Sequence, residues 1–203
     1  MSTFFTADTH FDHDNILNLG QGRPFGSINH HNETLIQNYN YLVQPSDKTY
    51  FLGDVALGNL EQSIQLLSRM NGQKFLVPGN HDRIFSGTNT KSRIERFLPI
   101  YEEAGFVVLP ENTSIDFDGQ EVLLSHFPYS ENWETFSKVD KFAKSRPVDT
   151  GLPLLHGHTH FANRLTEGNP RMLNVGVDAN NFFPVGWAEV KLWLDSLQLT
   201  VAK

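Results

Sequence analysis

The chain contains no cysteine. Disulfides, thiolate metal sites and cysteine nucleophiles are therefore excluded together, and any metal must be held by imidazole, carboxylate, amide or water. No apolar run approaches the ~20 residues that a membrane-spanning helix requires, so no membrane partner is expected. The opening Met1-Ser2-Thr3-Phe4-Phe5-Thr6 has neither a basic segment nor a long apolar stretch, which argues against a secretory signal and makes the cytoplasm the expected location. Positive charge is also scarce: the formal net charge is −7. A broad basic surface acting as a scaffold for duplex nucleic acid is not expected, although an acidic chain can still receive phosphates at a metal centre.

What is present is enough for one packed domain spanning residues 1–203: the chain is 39% hydrophobic and carries 16 Phe, 5 Tyr and 3 Trp. No repeat, low-complexity tract or linker divides it. Strands are expected over Thr3–Ala7, Lys48–Leu52, Lys74–Val77, Phe106–Leu109, Leu152–Leu155 and Arg171–Asn174, with another within Phe182–Val185. Thr113–Phe117 and Glu121–Leu124 flank Asp118-Gly119, a hairpin signal. Helical spacing covers Asn29–Val43 and Leu60–Met70, a short turn fits Asn15–Leu19, and Ser92–Tyr101 reads as a helix that Pro99 should break or end. Trp187, Val190, Leu194 and Leu197 make the C-terminus lean helical, with a strand over Leu197–Val201 as the alternative. Tyr129–Thr150 reads as a loop with a short helix. Its Trp133, Phe136 and Phe142 are expected to pack on a sheet, the alternative being a lid that stacks a nucleobase. The first half alternates strand and helix and the second is richer in hairpins, which makes a mixed α/β chain.

The nine histidines cluster. His156-Gly157-His158-Thr159-His160 follows an apolar run, and in an extended segment His158 and His160 would point to one side. Asp8, Asp54, Asn80 and His126 each stand just after an expected strand, where the carboxyl ends of strands in α/β sheets gather ligand sites. Taken singly, each has a structural explanation. Asp8 could cap a helix, Asp54 could serve a turn, Asn80 could sit in a left-handed turn after Gly79, and His126 could be a core histidine.

As a set they form Asp8-Thr9-His10, Gly53-Asp54, Gly79-Asn80-His81-Asp82, Ser125-His126 and Gly157-His158-Thr159-His160, in that order. This series resembles the calcineurin-like metallophosphoesterase superfamily. Phe5-Thr6-Ala7-Asp8-Thr9-His10-Phe11, His13, Asn15, Arg23-Pro24-Phe25, Asn32-Glu33-Thr34-Leu35 and Asn174-Val175-Gly176-Val177-Asp178 are further similar to its small single-domain microbial and phage phosphoesterases. The resemblance implies a four-layer α/β sandwich, two stacked mixed β-sheets flanked by helices, carrying two divalent ions.

By the same resemblance, Asp54 bridges the ions, Asp8, His10 and His160 complete one, and Asn80, His126 and His158 complete the other. Mn²⁺ is the first choice, and Fe, Zn²⁺, Ni²⁺ and Co²⁺ also suit these ligands. His81 is expected to protonate the leaving oxygen, with Asp82 holding its other ring nitrogen, after in-line attack by a hydroxide bridging the ions. His156 falls outside the ligand set. Beyond the metals, Arg23 is expected to grip a phosphate oxygen, its alternative being an Arg that caps or packs on Phe25, and His13 and Asn15 are expected to face a small phosphate-ester substrate, with support of His10 as the alternative for His13. Phosphodiester hydrolysis of nucleotide-like molecules is the favoured reaction. Phosphomonoester hydrolysis on the same site is the runner-up, and a non-catalytic scaffold is the alternative from another class.

Overall fold

The computed structural model describes residues 1–19, 22–130 and 141–201. Two five-stranded sheets stack on one another. The first has the order β10-β1-β2-β3-β4, built from β1 (Thr3–Thr6), β2 (Lys48–Phe51), β3 (Gln73–Leu76), β4 (Phe106–Val108) and β10 (Val185–Gly186). The second has the order β5-β6-β7-β9-β8, built from β5 (Thr113–Phe117), β6 (Gln120–Leu124), β7 (Leu154–His156), β8 (Leu165–Thr166) and β9 (Asn169–Asn174). β1 to β4 run parallel while β10 is antiparallel, and β6, β7 and β9 run parallel between antiparallel β5 and β8. Both sheets are therefore mixed, as the resemblance implies.

Side-chain alternation explains why the first sheet is covered on both faces. Phe51 and Leu76 pack outward against Leu35, Ile36 and Tyr39 of α1 (Ile28–Leu42) and Leu60, Ile64 and Leu67 of α2 (Leu60–Ser68). Phe5, Leu52 and Val77 face inward and meet Val122, Leu124, Leu155 and Leu173 of the second sheet. α4 (Trp187–Val201) adds Val190, Trp193 and Leu194 to that interior, so the C-terminus is a helix and not the alternative strand. Among the described residues no helix is long and apolar enough to cross a membrane.

Local signals account for most element ends. Ser27 caps α1 by accepting the His30 N–H, and Thr90 accepts the Arg93 N–H at the start of α3 (Lys91–Glu103). One expectation fails here: α3 runs through Pro99 to Glu103. An interior proline costs about 3 kcal/mol. Burying Tyr101 fully, with Phe97, Leu98 and Ile100 packed on the same cluster, offsets that cost at ~1.5–3 kcal/mol per large apolar side chain.

Candidate metal centre

The carboxyl ends of six parallel strands converge: β1, β2 and β3 from one sheet, β6, β7 and β9 from the other. The segments leaving them carry Asp8, Asp54, Asn80, His126, the His158–His160 pair and Asp178. The sheets are stitched together at this edge. Ala7 forms a parallel bridge with Gly176, and the His126 Nδ1–H donates to the Leu52 carbonyl at 2.8 Å.

The backbone has to bend sharply to aim these side chains. Asp8, His10, Asp54, His158 and His160 all have positive φ, at 59°, 47°, 55°, 71° and 52°. Left-handed conformations cost roughly 1–3 kcal/mol at non-glycine residues, and they persist where surrounding bonds over-determine them. Those bonds are present: Asp8 accepts the His158 N–H at 2.9 Å, Asp54 accepts the His81 N–H at 2.8 Å, and the His10 N–H reaches the Asp54 carbonyl at 3.0 Å. Close approach does the rest. A Cβ on Gly79 would lie 2.3 Å from Asp54 Oδ1, and one on Gly157 2.5 Å from Asp8 Oδ2, so both positions need glycine.

Asp54 lies at the middle. Its Oδ2 is 3.4 Å from His126 Nε2, 3.6 Å from His10 Nε2 and 4.0 Å from His81 Nε2. His126 Nε2 in turn lies 3.1 Å from Asn80 Oδ1 and 3.2 Å from His158 Nδ1. Among the described residues, two sets that share Asp8 have ligand atoms within 4.8 Å of one another: Asp8, His10 and His160, and Asp8, Asp54 and His126. Both ring nitrogens of His10 are buried, with no hydrogen-bond partner among the described residues. A buried unpaired polar atom costs about 1–3 kcal/mol and calls for an explanation. A divalent cation supplies one for the nitrogen facing Asp54, so these residues fit a metal.

Electrostatics agree with that fit at His10 and Asp54 and run against it at His126. Burial, despite the Asp54 charge, holds His10 well below its ordinary pKa, in the neutral form that a ligand requires. Burial opposes ionisation of Asp54, but the surrounding histidines, His126 foremost, outweigh it and keep its carboxyl well below the usual range. Burial would lower His126, yet the Asp54 charge and hydrogen bond push it up to about 9.

Four expectations change at this level. First, β7 ends at His156, and His158 and His160 do not lie in an extended segment. Their positive φ values and the Thr159 N–H to Gly157 carbonyl bond of 2.9 Å fold a tight turn, which sends His158 to His126 and His160 to Asp178. Second, among the described residues nothing joins Asp82 to the His81 ring. Asp82 is buried and accepts the N–H groups of Asp54 at 2.8 Å, Gly79 at 2.8 Å and Val55 at 3.2 Å, with the Tyr101 hydroxyl at 3.5 Å. It braces the two loops that carry Asp54 and Asn80.

Third, Arg23 does not reach out to a substrate. Its side chain is 2% exposed, and its guanidinium donates to both oxygens of Asp178 and to the Asp8 and Thr9 carbonyls. The Phe25 ring meets His30, His31 and Phe182. Fourth, Asn15 is exposed on the single 3₁₀ turn Asp14–Leu17, and among the described residues no hydrogen bond joins its side chain to the cluster.

His81 is different. Its side chain is 44% exposed, and its ring lies 5.4 Å from that of His10 and 6.2 Å from that of His13. It stands at the mouth of the site. His156 is buried, with Nδ1 against the Gly157 carbonyl, outside both ligand sets. Phe142 packs on Phe127 and edges His158 at 5.8 Å, while Trp133 and Phe136 lie outside the described residues.

Asp178 was legible only as part of a resemblance and carried no assigned role. Its position after the sixth parallel strand was the missing signal. Burial alone would raise its carboxyl, but hydrogen bonds from His160 and Arg23 hold it down at about 2.

The Asp82 geometry makes a prediction. Both its oxygens accept and neither donates, so Asp82→Asn sets an amide NH₂ against backbone N–H donors. We expect the metal-free unfolding free energy to fall by about 3 kcal/mol, read as a lower urea midpoint. An unchanged midpoint with a selective loss of turnover would return Asp82 to service of His81.

Stacked mixed sheets with aspartates and histidines gathered at their joint carboxyl edge form an architecture suited to holding metal ions. The calcineurin-like phosphoesterase family model matches residues 1–182, and the chain belongs to that family. It is 30% identical over 189 residues to an uncharacterized protein of Methanocaldococcus jannaschii, covering 90% of this chain and 85% of the relative. It is 28% identical over 199 residues to the Gene 66 protein of Mycobacterium phage L5, covering 88% and 87%. Among solved structures, a protein of unknown function from Aquifex aeolicus superposes with a TM-score of 0.64 at 25% identity, over 94% of this chain and 97% of that one.

Proposed function

We propose that this chain hydrolyses phosphodiesters at a pair of divalent cations, with small nucleotide-like esters as substrates. The observation that carries this reading is Asp54: one buried carboxylate oxygen within 3.4–3.6 Å of His126 and His10, each a member of a separate ligand set. On this reading Asp8, His10 and His160 hold one ion, Asn80, His126 and His158 hold the other, and Asp54 serves both. The donor set of imidazole, carboxylate and amide suits Mn²⁺ first, and Fe, Zn²⁺, Ni²⁺ or Co²⁺ as well. Bound there, two cations neutralise charge on the phosphoryl oxygens and make water a better nucleophile.

The protein's own contribution is placement and proton transfer. His81 stands at the mouth with its backbone N–H fixed on Asp54 Oδ1, and its ring is the proton donor to the departing oxygen. His13 lies beside His10 and His81, with a buried Nδ1 that has no hydrogen-bond partner among the described residues, and it contacts the substrate phosphate. Diesters rank before monoesters because of charge. Arg23 is turned away onto Asp178, which leaves the imidazoles of His13 and His81 at the mouth. That suits a singly charged diester better than a dianionic monoester.

The test is turnover by the Mn²⁺-loaded protein on bis-nitrophenyl phosphate, nitrophenyl phosphate and cyclic nucleotides. Diester turnover above monoester turnover is expected. The reverse order would make the protein a phosphomonoesterase, and no turnover with two ions bound would make it a non-catalytic scaffold.

A further inference from the structure

One side chain holds, directly or through Asp178, the segments that carry Asp8, His10 and His160. Arg23 Nη2 donates to the Asp8 carbonyl at 2.7 Å, and Nη1 to the Thr9 carbonyl at 3.3 Å, so it holds the backbone on either side of the turn that aims Asp8 and His10. Nε and Nη2 grip Asp178 at 2.8 and 2.7 Å. Asp178 Oδ2 also lies 2.8 Å from His160 Nδ1. A carboxylate paired with a guanidinium can only accept from that nitrogen. The proton of neutral His160 is therefore on Nδ1, and the lone pair is left on Nε2.

Arg23 is itself fixed from behind. Its Nη1 lies 2.8 Å from His31 Nε2, whose Nδ1 lies 3.1 Å from Asn32 Oδ1, and Asn32 Nδ2 donates to Asp12 at 2.6 Å. His31 must accept from the guanidinium, so it is neutral and donates to Asn32. This chain anchors the pair to α1. By contrast, the contacts of the His126 ring run to Leu52, Asn80, His158 and Asp54.

We infer that Arg23 and Asp178 are a positioning pair dedicated to the Asp8–His10–His160 ion, so that its affinity is set separately from that of its neighbour. The inference rests on the two-ion reading above. The pair touches neither substrate nor reacting atoms: it fixes the tautomer and direction of His160 and the turn carrying Asp8 and His10. Lysine cannot replace Arg23, because a single ammonium cannot span Asp178 and two carbonyls in one plane.

The experiment is calorimetric Mn²⁺ titration of the metal-free chain beside Asp178→Asn and Arg23→Lys, with electron paramagnetic resonance of the loaded proteins. Circular dichroism melts establish which variants are folded, and Arg23→Lys, which keeps the charge, decides the matter if Asp178→Asn does not fold. In the unsubstituted chain two ions are expected, with a spin-coupled Mn²⁺ pair. In the variants one ion keeps its affinity, the other weakens 10–100-fold, and the signal becomes that of an isolated Mn²⁺. Two ions held as tightly as before, or both weakened alike, overturn the inference and leave the two-ion reading standing. No Mn²⁺ uptake by the unsubstituted chain overturns both.

Discussion

Asp54→Asn is expected to lower phosphodiester turnover on the order of 10³-fold or more and to leave the protein unable to hold two ions at once. The side chain is 1% exposed, and both of its oxygens are in use. Oδ1 accepts the His81 N–H, and Oδ2 faces His126, His10 and His81. An asparagine has one acceptor oxygen and no charge. Whichever way its amide turns, an NH₂ group confronts either the His81 N–H or the ring nitrogens. A neutral amide also does little to balance two dications a few ångströms apart. Several kcal/mol of transition-state charge stabilisation depend on those ions, which sets the size of the effect. The measurement pairs kcat on bis-nitrophenyl phosphate with metal content by elemental analysis. Two ions and near-normal turnover in Asp54→Asn would remove Asp54 from the bridging position.

His81→Ala is expected to lower kcat by about 10²–10⁴-fold on esters with poor leaving groups, with KM and metal content nearly unchanged. His81 lies in neither ligand set, and its side chain is half-exposed. Its structural duty is performed by the backbone N–H on Asp54, which alanine keeps. The substitution therefore removes the imidazole and little else. Nitrophenolate leaves without much help from a proton, so the deficit on nitrophenyl esters should be much smaller than on cyclic nucleotides. An equal loss on both substrate classes would mean that His81 binds or orients the ester and does not protonate its leaving oxygen. Loss of an ion in His81→Ala would make it a ligand.

Much of the fold is local and was therefore legible. Asp118-Gly119 has the residues that a tight hairpin demands, and the strands on either side pair from Thr113↔Leu124 to Phe117↔Gln120. The apolar spacing in Ile28–Leu42 and Leu60–Ser68 depends only on neighbours three and four residues away. The passage of α3 through Pro99 was not legible, because what offsets the proline is the burial of Tyr101 against distant side chains. Asp82 was misread for a similar reason. Adjacency to His81 suggested a partner, but adjacent residues leaving a strand end need not face each other, and Asp82 turns back to donors on two loops. Arg23 was misdirected because its partner is 155 residues away.

The sequence alone determined the chemistry of the donors. With no cysteine, any metal must be held by imidazole, carboxylate, amide or water, and the place of Asp8, Asp54, Asn80 and His126 after expected strands was enough to expect that they meet. Only the tertiary structure decided where each side chain points and what stands behind it. Side-chain direction at this edge is set by left-handed turns and by bonds such as Asp8 to His158, 150 residues apart. Such bonds form only once two sheets close on one another, and no neighbour in the chain encodes them. For the same reason Arg23, expected at the substrate, stands behind the cluster and holds His160 through Asp178.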